Sequence, residues 1–252
     1  MEASSILMIV VILVLLYFVI YYLRRDVSML QESVMDGTLM TTIQPTNQGN
    51  DKNNSGNFAY SVWFYVNDWN YKYGELKFVF ARMGGAGSLT GTPNNLSGLT
   101  PMEPCPAVTL DPLKNNLNIT MTCYSGDASH PDNNMMSNTE ISNIPIQRWV
   151  NLLFSVYGRT LDVYIDGKLV RTSLLPGIAH INQNAPTYLT PLGGFYGWTS
   201  KFQYWSSAVD PQKAWNVYSA GYGGSMLSAL FGKYQVKVSL LTNGKESSSI
   251  QA

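Results

Sequence analysis

Residues 144–177 read IPIQRWVNLLFSVYGRTLDVYIDGKLVRTSLLPG, three β-strands in series. Val150, Leu152, Phe154 and Val156 occupy every second position. A period of two, rich in β-branched and aromatic residues, marks a strand with one face on a core. Gly158-Arg159-Thr160 turns the chain, and Leu161, Val163 and Ile165 resume the alternation. Asp166-Gly167 is the residue pair of a type I′ hairpin, whose two central residues both take positive φ. Lys168 to Thr172 is therefore expected to return antiparallel.

The same pattern extends in both directions. Phe58 to Val66 alternates with aromatic residues in both sets, which implies a strand buried on both faces. Leu76 to Arg82, Ala107 to Leu110 and Leu117 to Tyr124 read as strands. Gly84 to Gly98 and Ser125 to Asn138 read as polar loops; the first lacks the Gly-Lys-Ser/Thr of a phosphate loop. Downstream come strands at Tyr188 to Leu192, Lys201 to Trp205 and Tyr234 to Leu241. Between the last two, Val209 to Tyr218 reads as a short helix, with Asp210 as N-cap and Pro211 at its first turn. Short strands separated by turn signals roughly every 8–12 residues indicate an all-β sandwich.

Two segments carry a resemblance. One is Gln147-Arg148-Trp149-Val150 with Leu161 to Val170; the other is Gly193-Gly194-Phe195-Tyr196-Gly197 with Phe202-Gln203-Tyr204-Trp205. Together they resemble the laminin-G-like, concanavalin A-like jelly rolls, over about Phe58 to Gly221. There a Trp enters a strand, and a tyrosine-containing strand ends in Asp-Gly-Lys. The resemblance implies a jelly-roll sandwich with Trp149, Tyr164, Asp166 and Gly167 as its signature, Trp149 anchoring the core. It says little about function.

Chemistry is poorly represented. Glycosidases of this fold carry Glu-x-Asp-x-x-Glu on one strand, placing acid and nucleophile about 5 Å apart; the motif is missing. Asp162 and Asp166 are four apart, but Asp166 belongs to the turn. No Gly-x-Ser-x-Gly or His-Glu-x-x-His occurs. Asp127 and Asp132 share a loop without forming an acidic cluster, and His130 and His180 are isolated. Cys105 and Cys123 stand eighteen apart; buried thiols or one disulfide both fit. The expectation is no enzyme, no metal and no cofactor. Net charge is zero, charged residues are only 13%, and no Lys/Arg cluster occurs, which argues against nucleic acid.

Ile6 to Leu23 is eighteen residues without charge, Pro or Gly. As a helix it spans roughly 27 Å, close to the hydrocarbon thickness of a bilayer. Tyr17, Tyr21 and Tyr22 suit the interface, and Arg24 and Arg25 mark its edge. The run exceeds a signal-peptide core, and MEASS carries no Lys or Arg. With both arginines on the C-terminal flank, the positive-inside rule places the domain on the cytoplasmic side. Val27, Leu30 and Val34 share a helical face, so a projecting stalk is expected, stopping at Asp36-Gly37 before a polar linker from Thr41 to Asn57. The expected organisation is an anchor over 1–25, a juxtamembrane helix and linker over 26–57, the sandwich over 58–241 and a mobile tail over 242–252.

Two functions fit. The architecture is similar to minor structural proteins of large icosahedral DNA viruses, which bridge an internal membrane and a capsid shell. That similarity implies a non-enzymatic, single-pass membrane protein of the virion, with other structural proteins as partners. The alternative is a membrane-tethered lectin, whose rings would stack on sugar faces; Tyr196, Trp198 and Tyr204 lie near Gly-rich turns. Glycosylation sequons at Asn53, Asn95 and Asn118 have meaning only if the domain enters the secretory lumen.

Overall fold

The computed structural model describes residues 11–12, 14–17, 28–45, 56–84, 103–125 and 134–223, and the backbone of 237–242 and 245–251. The described residues between 28 and 223 form a sandwich of two antiparallel sheets. One sheet contains β1 (Met29–Gln31), β2 (Met35–Asp36), β4 (Phe58–Asp68), β9 (Trp149–Tyr157), β10 (Thr160–Ile165), β11 (Lys168–Leu174) and β13 (Tyr196–Trp205). Its order is β1-β13-β4-β9-β10-β11, with β2 also on β13. The other contains β3 (Thr41–Ile43), β5 (Lys77–Arg82), β6 (Ala107–Leu110), β7 (Leu117–Cys123), β8 (Met135–Ile141) and β12 (Thr187–Leu189), in the order β3-β12-β5-β6-β7-β8.

The alternation read from residues 144–177 is what the core uses. Val150, Leu152, Phe154, Val156, Leu161 and Val163 are fully buried between the sheets, facing Phe80, Val108, Leu117, Ile119 and Met121. The Asp166-Gly167 turn has φ of 50° and 73°, and Ile165 pairs with Lys168. Tyr60 centres an aromatic packing with Phe80, Phe154, Phe202 and Tyr204, at centroid distances of 4.8–5.8 Å. The helix α1 (Pro211–Ser219) lies on the outer face of the seven-stranded sheet, where Ala214 and Val217 bury Leu153 and Tyr164. Its N-cap is Asp210, which accepts the Lys213 N–H at 2.7 Å.

Four sequence expectations are corrected. The stretch 28–36 is not a stalk helix: Met29 and Gln31 pair with Gln203 and Phe202, and Met35 and Asp36 pair with Thr199 and Trp198. A short isolated helix is marginal in water. The edge of β13 offers hydrogen bonds, and Leu30 packs on the core instead. The polar linker expected over Thr41 to Asn57 is likewise broken by β3, whose Ile43 is buried and which pairs with β12. The loop expected to run to Asn138 ends earlier, because Met135 to Ile141 pairs along the whole of β7. The tail pairs too: β15 (Lys245–Gln251) forms a separate two-stranded sheet with β14 (Lys237–Thr242).

The signature Trp149 does not enter the inter-sheet core. Val150 does, so a period of two turns Trp149 to the outer face, where it is half-buried. Cys105 and Cys123 are buried free thiols. Burial pushes both thiols up, with each other's charge a further cause for Cys105.

Candidate functional site: an aromatic array at one end of the sandwich

The strands give the sandwich two ends. At one, β9 and β10 meet in the Tyr157 turn. At the other, the Asp166 turn joins β10 to β11, beside the start of β9, the end of β4 and the start of β13. The outer face of the second end carries a chain of rings. Trp198 meets Tyr65 at 5.4 Å, and Tyr65 meets Trp149 at 5.8 Å, both edge-on. Trp149 stacks on Tyr222 at 4.4 Å and 13°. Tyr222 leads to Trp63 at 5.9 Å, Trp63 to Tyr218 at 5.7 Å, and Tyr218 to Trp215 at 5.6 Å. Tyr196 pairs separately with Tyr71 at 6.3 Å.

Each ring is placed by a local cause. Trp63 and Tyr65 are outward positions of β4, and Trp149 is opposite Tyr65 in the ladder. Trp198 reaches Tyr65 because Gly197 lies against it: a Cβ at 197 would stand 1.8 Å from the Tyr65 carbonyl oxygen. Tyr218 and Tyr222 come from the end of α1 and the segment after it. That segment is held by the Lys201 ammonium, which donates to the carbonyls of Ala220 (3.3 Å) and Gly221 (2.7 Å), and by the Ser200 hydroxyl, which donates to Tyr222 O (2.9 Å). Burial lowers the Lys201 pKa, opposed by the charge of Glu32.

Trp63 is almost fully buried, whereas Trp198, Tyr196, Trp215 and Tyr222 remain 39–47% exposed. The array is therefore a ring-lined surface resting on a buried indole. Such a surface takes apolar or aromatic side chains, or the CH faces of sugars. Its polar neighbour is the Arg148–Asp166 pair at 2.6 Å. Both Asp166 oxygens are engaged, since Oδ1 accepts the Asn151 N–H at 2.9 Å. Asp162 Oδ1 accepts from the Thr172 hydroxyl at 2.5 Å. Each carboxylate therefore has a structural partner.

The structure separates the three candidate sugar-stacking rings. Tyr196 and Trp198 are exposed, but Tyr204 is 6% exposed in the core against Tyr60. The cause is a bulge in β13: Ser200 pairs with Trp63 and Gln203 with Ser61, so one extra residue intervenes and inverts the parity of the strand. Lys201, inside the bulge, has φ of 45°. A strict period of two would put 196, 198 and 204 on one face; this bulge removes Tyr204. Sequence reading missed Tyr65 and Trp149 as surface rings, although their alternation with Phe64 and Val150 was a signal. It had none for Tyr222.

Elsewhere, a cleft of about 380 Å³ opens between β8 and β11, lined by Ile141, Ile144, Ile165 and Val170, with Arg171 donating to the Glu140 carbonyl across it. Lys77 is fully buried on the inner face of β5, its ammonium 5.1 Å from the Trp69 ring centre and without a hydrogen-bond partner among the described residues. Burial lowers its pKa, against the opposing charges of Asp111 and Glu75. His180 packs on Tyr124 and contacts Asn134 Nδ2. Among the described residues no three His, Cys, Asp or Glu side chains group closely enough to hold a metal ion. Asp127, His130 and Asp132 lie outside the described residues, as do Arg24 and Arg25 and the sequons at Asn53 and Asn95. The third sequon residue, Asn118, is 2% exposed and accepts from Asn138 Nδ2 at 3.0 Å.

The fold defines the class: an all-β sandwich of two antiparallel sheets. No family model and no curated protein matches the sequence. Among solved structures, the chain is similar to the receptor-binding domain of botulinum neurotoxin mosaic serotype C/D (TM-score 0.52, 8% identity, 75% of this chain and 41% of that one). A second structure of the C/D mosaic domain gives 0.51 at 9% identity, over 74% and 41%. The receptor-binding domain of botulinum neurotoxin D gives 0.50 at 10%, over 75% and 43%. This chain thus spans about two fifths of those domains, and the likeness is one of fold.

Proposed function

We propose that this protein is a non-enzymatic, membrane-anchored structural protein. Its sandwich, of the laminin-G-like, concanavalin A-like jelly-roll kind, docks a protein partner through the aromatic array. The observation that carries the reading is the array itself: exposed Trp198, Tyr196 and Tyr222 on a buried support, at the end of the sandwich remote from Ser28, where the N-terminal segment joins it. The anchor is supported by what little of the apolar run is described. Residues 11–12 and 14–17 are helical, and Val11, Ile12, Val14, Leu15, Leu16 and Tyr17 are all 47–59% exposed. Apolar side chains on every side of a helix suit lipid. Among the described residues no helix is long and apolar enough to cross a membrane, and the rest of Ile6 to Leu23 lies outside them. With Arg24 and Arg25 inside, the domain stands on the cytoplasmic side. A minor capsid protein joining an internal membrane to a capsid shell has this arrangement, so capsid proteins are the proposed partners.

The test is cross-linking of the full chain in its own membrane, compared with a Trp198→Ala/Tyr222→Ala variant. Both rings are partly exposed, so the variant is expected to stay folded and membrane-bound while losing its cross-linked partner. Unchanged cross-linking removes the array from the docking role. A membrane-tethered carbohydrate-binding protein is the second reading, favoured by the exposed Tyr196 and Trp198 rings. Glycan binding by the same full chain, abolished by Trp198→Ala, would select it. Topology is read separately by expression in a eukaryotic cell: a glycan-dependent gel shift puts the domain outside. Only Asn53 and Asn95 serve as reporters, because a glycan on buried Asn118 is incompatible with the sheet.

A further inference from the structure

We infer that the Tyr157 end of the sandwich is a lipid-contacting face, held in the bilayer interface by the short connection to the anchor. The inference rests on the anchor of the preceding reading and adds which surface of the domain the membrane covers.

The first observation is length. The apolar run and its arginines end at Arg25, and Ser28 is already fixed to the sandwich: its carbonyl accepts the Tyr204 N–H at 2.9 Å. Only Asp26 and Val27 intervene, so the gap is about 10 Å at full extension. A 32-residue stalk and linker would have let the domain stand off; two residues do not. The second observation is direction. Met29 pairs with Gln203, so the chain joins β13 at its C-terminal end. The same end holds Trp205, opposite Ala59, and the turn from Tyr157 to Thr160. The membrane therefore lies against this end, and the aromatic array sits at the opposite end of the same sheet.

The third observation is what this end displays. Leu174 (74%) and Tyr157 (71%) are the most exposed large apolar side chains among the described residues. They flank one residue: Thr160 pairs with Tyr157 on one side and with Leu174 on the other. All three point to the same face, about 10 Å across two strand spacings. Arg159 is exposed within the same turn, its Nε tied to the Leu175 carbonyl at 3.0 Å. Across the sheet, Lys213 stands over the Trp205 ring at 5.4 Å. A leucine and a tyrosine beside cations match the interface of a bilayer, where rings and apolar tips enter the headgroup boundary and cations meet lipid phosphates. Asp162 and Asp210 are nearby carboxylates, each already bonded, to Thr172 and to the Lys213 N–H.

The experiment uses the full chain in vesicles of phosphatidylcholine and phosphatidylserine. Single Tyr157→Cys, Leu174→Cys and Tyr196→Cys variants carry an environment-sensitive fluorophore, since the native Cys105 and Cys123 are buried. Circular dichroism confirms that each is folded. The expected result is blue-shifted emission at 157 and 174, quenched by lipid nitroxides on the shallow acyl carbons, with neither effect at 196. Protein that resists carbonate extraction yet shows equal, water-like emission at all three positions overturns the lipid-contacting face and leaves the anchor standing. Protein released by carbonate overturns both.

Discussion

Asp166 joins three roles in one residue: a left-handed turn position, a backbone acceptor and half of an ion pair. Their weights differ. The Arg148 side chain is 55% exposed, so Arg148→Ala is expected to cost about 0–1 kcal/mol. Asp166→Ala also leaves the Asn151 N–H without its acceptor and puts Ala at φ 50°, so about 2–3 kcal/mol is expected in urea unfolding. Equal losses would assign the role to the ion pair. Lys77 is the opposite case, a buried charge without a hydrogen bond among the described residues. Its folded pKa lies below the usual 10.5 because burial disfavours the charged form. Below the folded pKa both states carry the proton and the penalty is complete. Between that pKa and 10.5 the unfolded chain binds more protons, so this group's contribution to stability rises with pH. Lys77→Met is therefore expected to stabilise by about 1 kcal/mol or more at neutral pH. That advantage should shrink toward pH 10.5; one that is constant with pH would refute the buried-charge account.

At the scale of elements, the helix α1 is clamped at both ends by side chains rather than by its own propensity. Asp210 caps its start, and Lys201 from the β13 bulge reaches the carbonyls at its end. Asp210→Ala should cost about 1 kcal/mol. Lys201→Met should cost about 1–2 kcal/mol by freeing the carbonyls of residues 220 and 221. The sites are at opposite ends of the helix, so the losses should add. Lys201→Met alone should also unseat Tyr222 from Trp149, which tryptophan emission would report; an unchanged spectrum would detach the array from the clamp. Gly197 belongs to the same scale. An alanine there meets the Tyr65 carbonyl, so β13 would have to leave β4 at the Asp166 end.

For the whole molecule, both sheets are completed by residues that precede the sequence-defined domain. Strands β1 and β2 cover the edge of β13, and β3 covers β12. A chain cut to begin at Phe58 exposes two bare edges and loses the packing of Leu30 and Ile43. Thermal melting should show a cooperative transition for residues 28–223 and a lower, aggregating one for residues 58–223. Equal melting temperatures would restore the view of 26–57 as a juxtamembrane segment and linker outside the domain.

The sequence by itself determined the repeating parts. The alternation in β4, β9 and β10, the Asp166-Gly167 turn and the Asp210-Pro211 helix start are local, each set by side-chain period or backbone preference within a few residues. Only the tertiary structure decided the rest. The helical spacing of Val27, Leu30 and Val34 was overridden, and short stretches between 29 and 43 became strands because distant edges offered them hydrogen bonds and burial. The bulge at Lys201 moved Tyr204 into the core and left Trp198 outside, a change of parity that periodicity cannot carry. The aromatic array draws on β4, β9, β13 and the end of α1, which are neighbours only in the folded protein. Its rings are brought together by long-range pairing, and long-range pairing leaves no local mark on the chain.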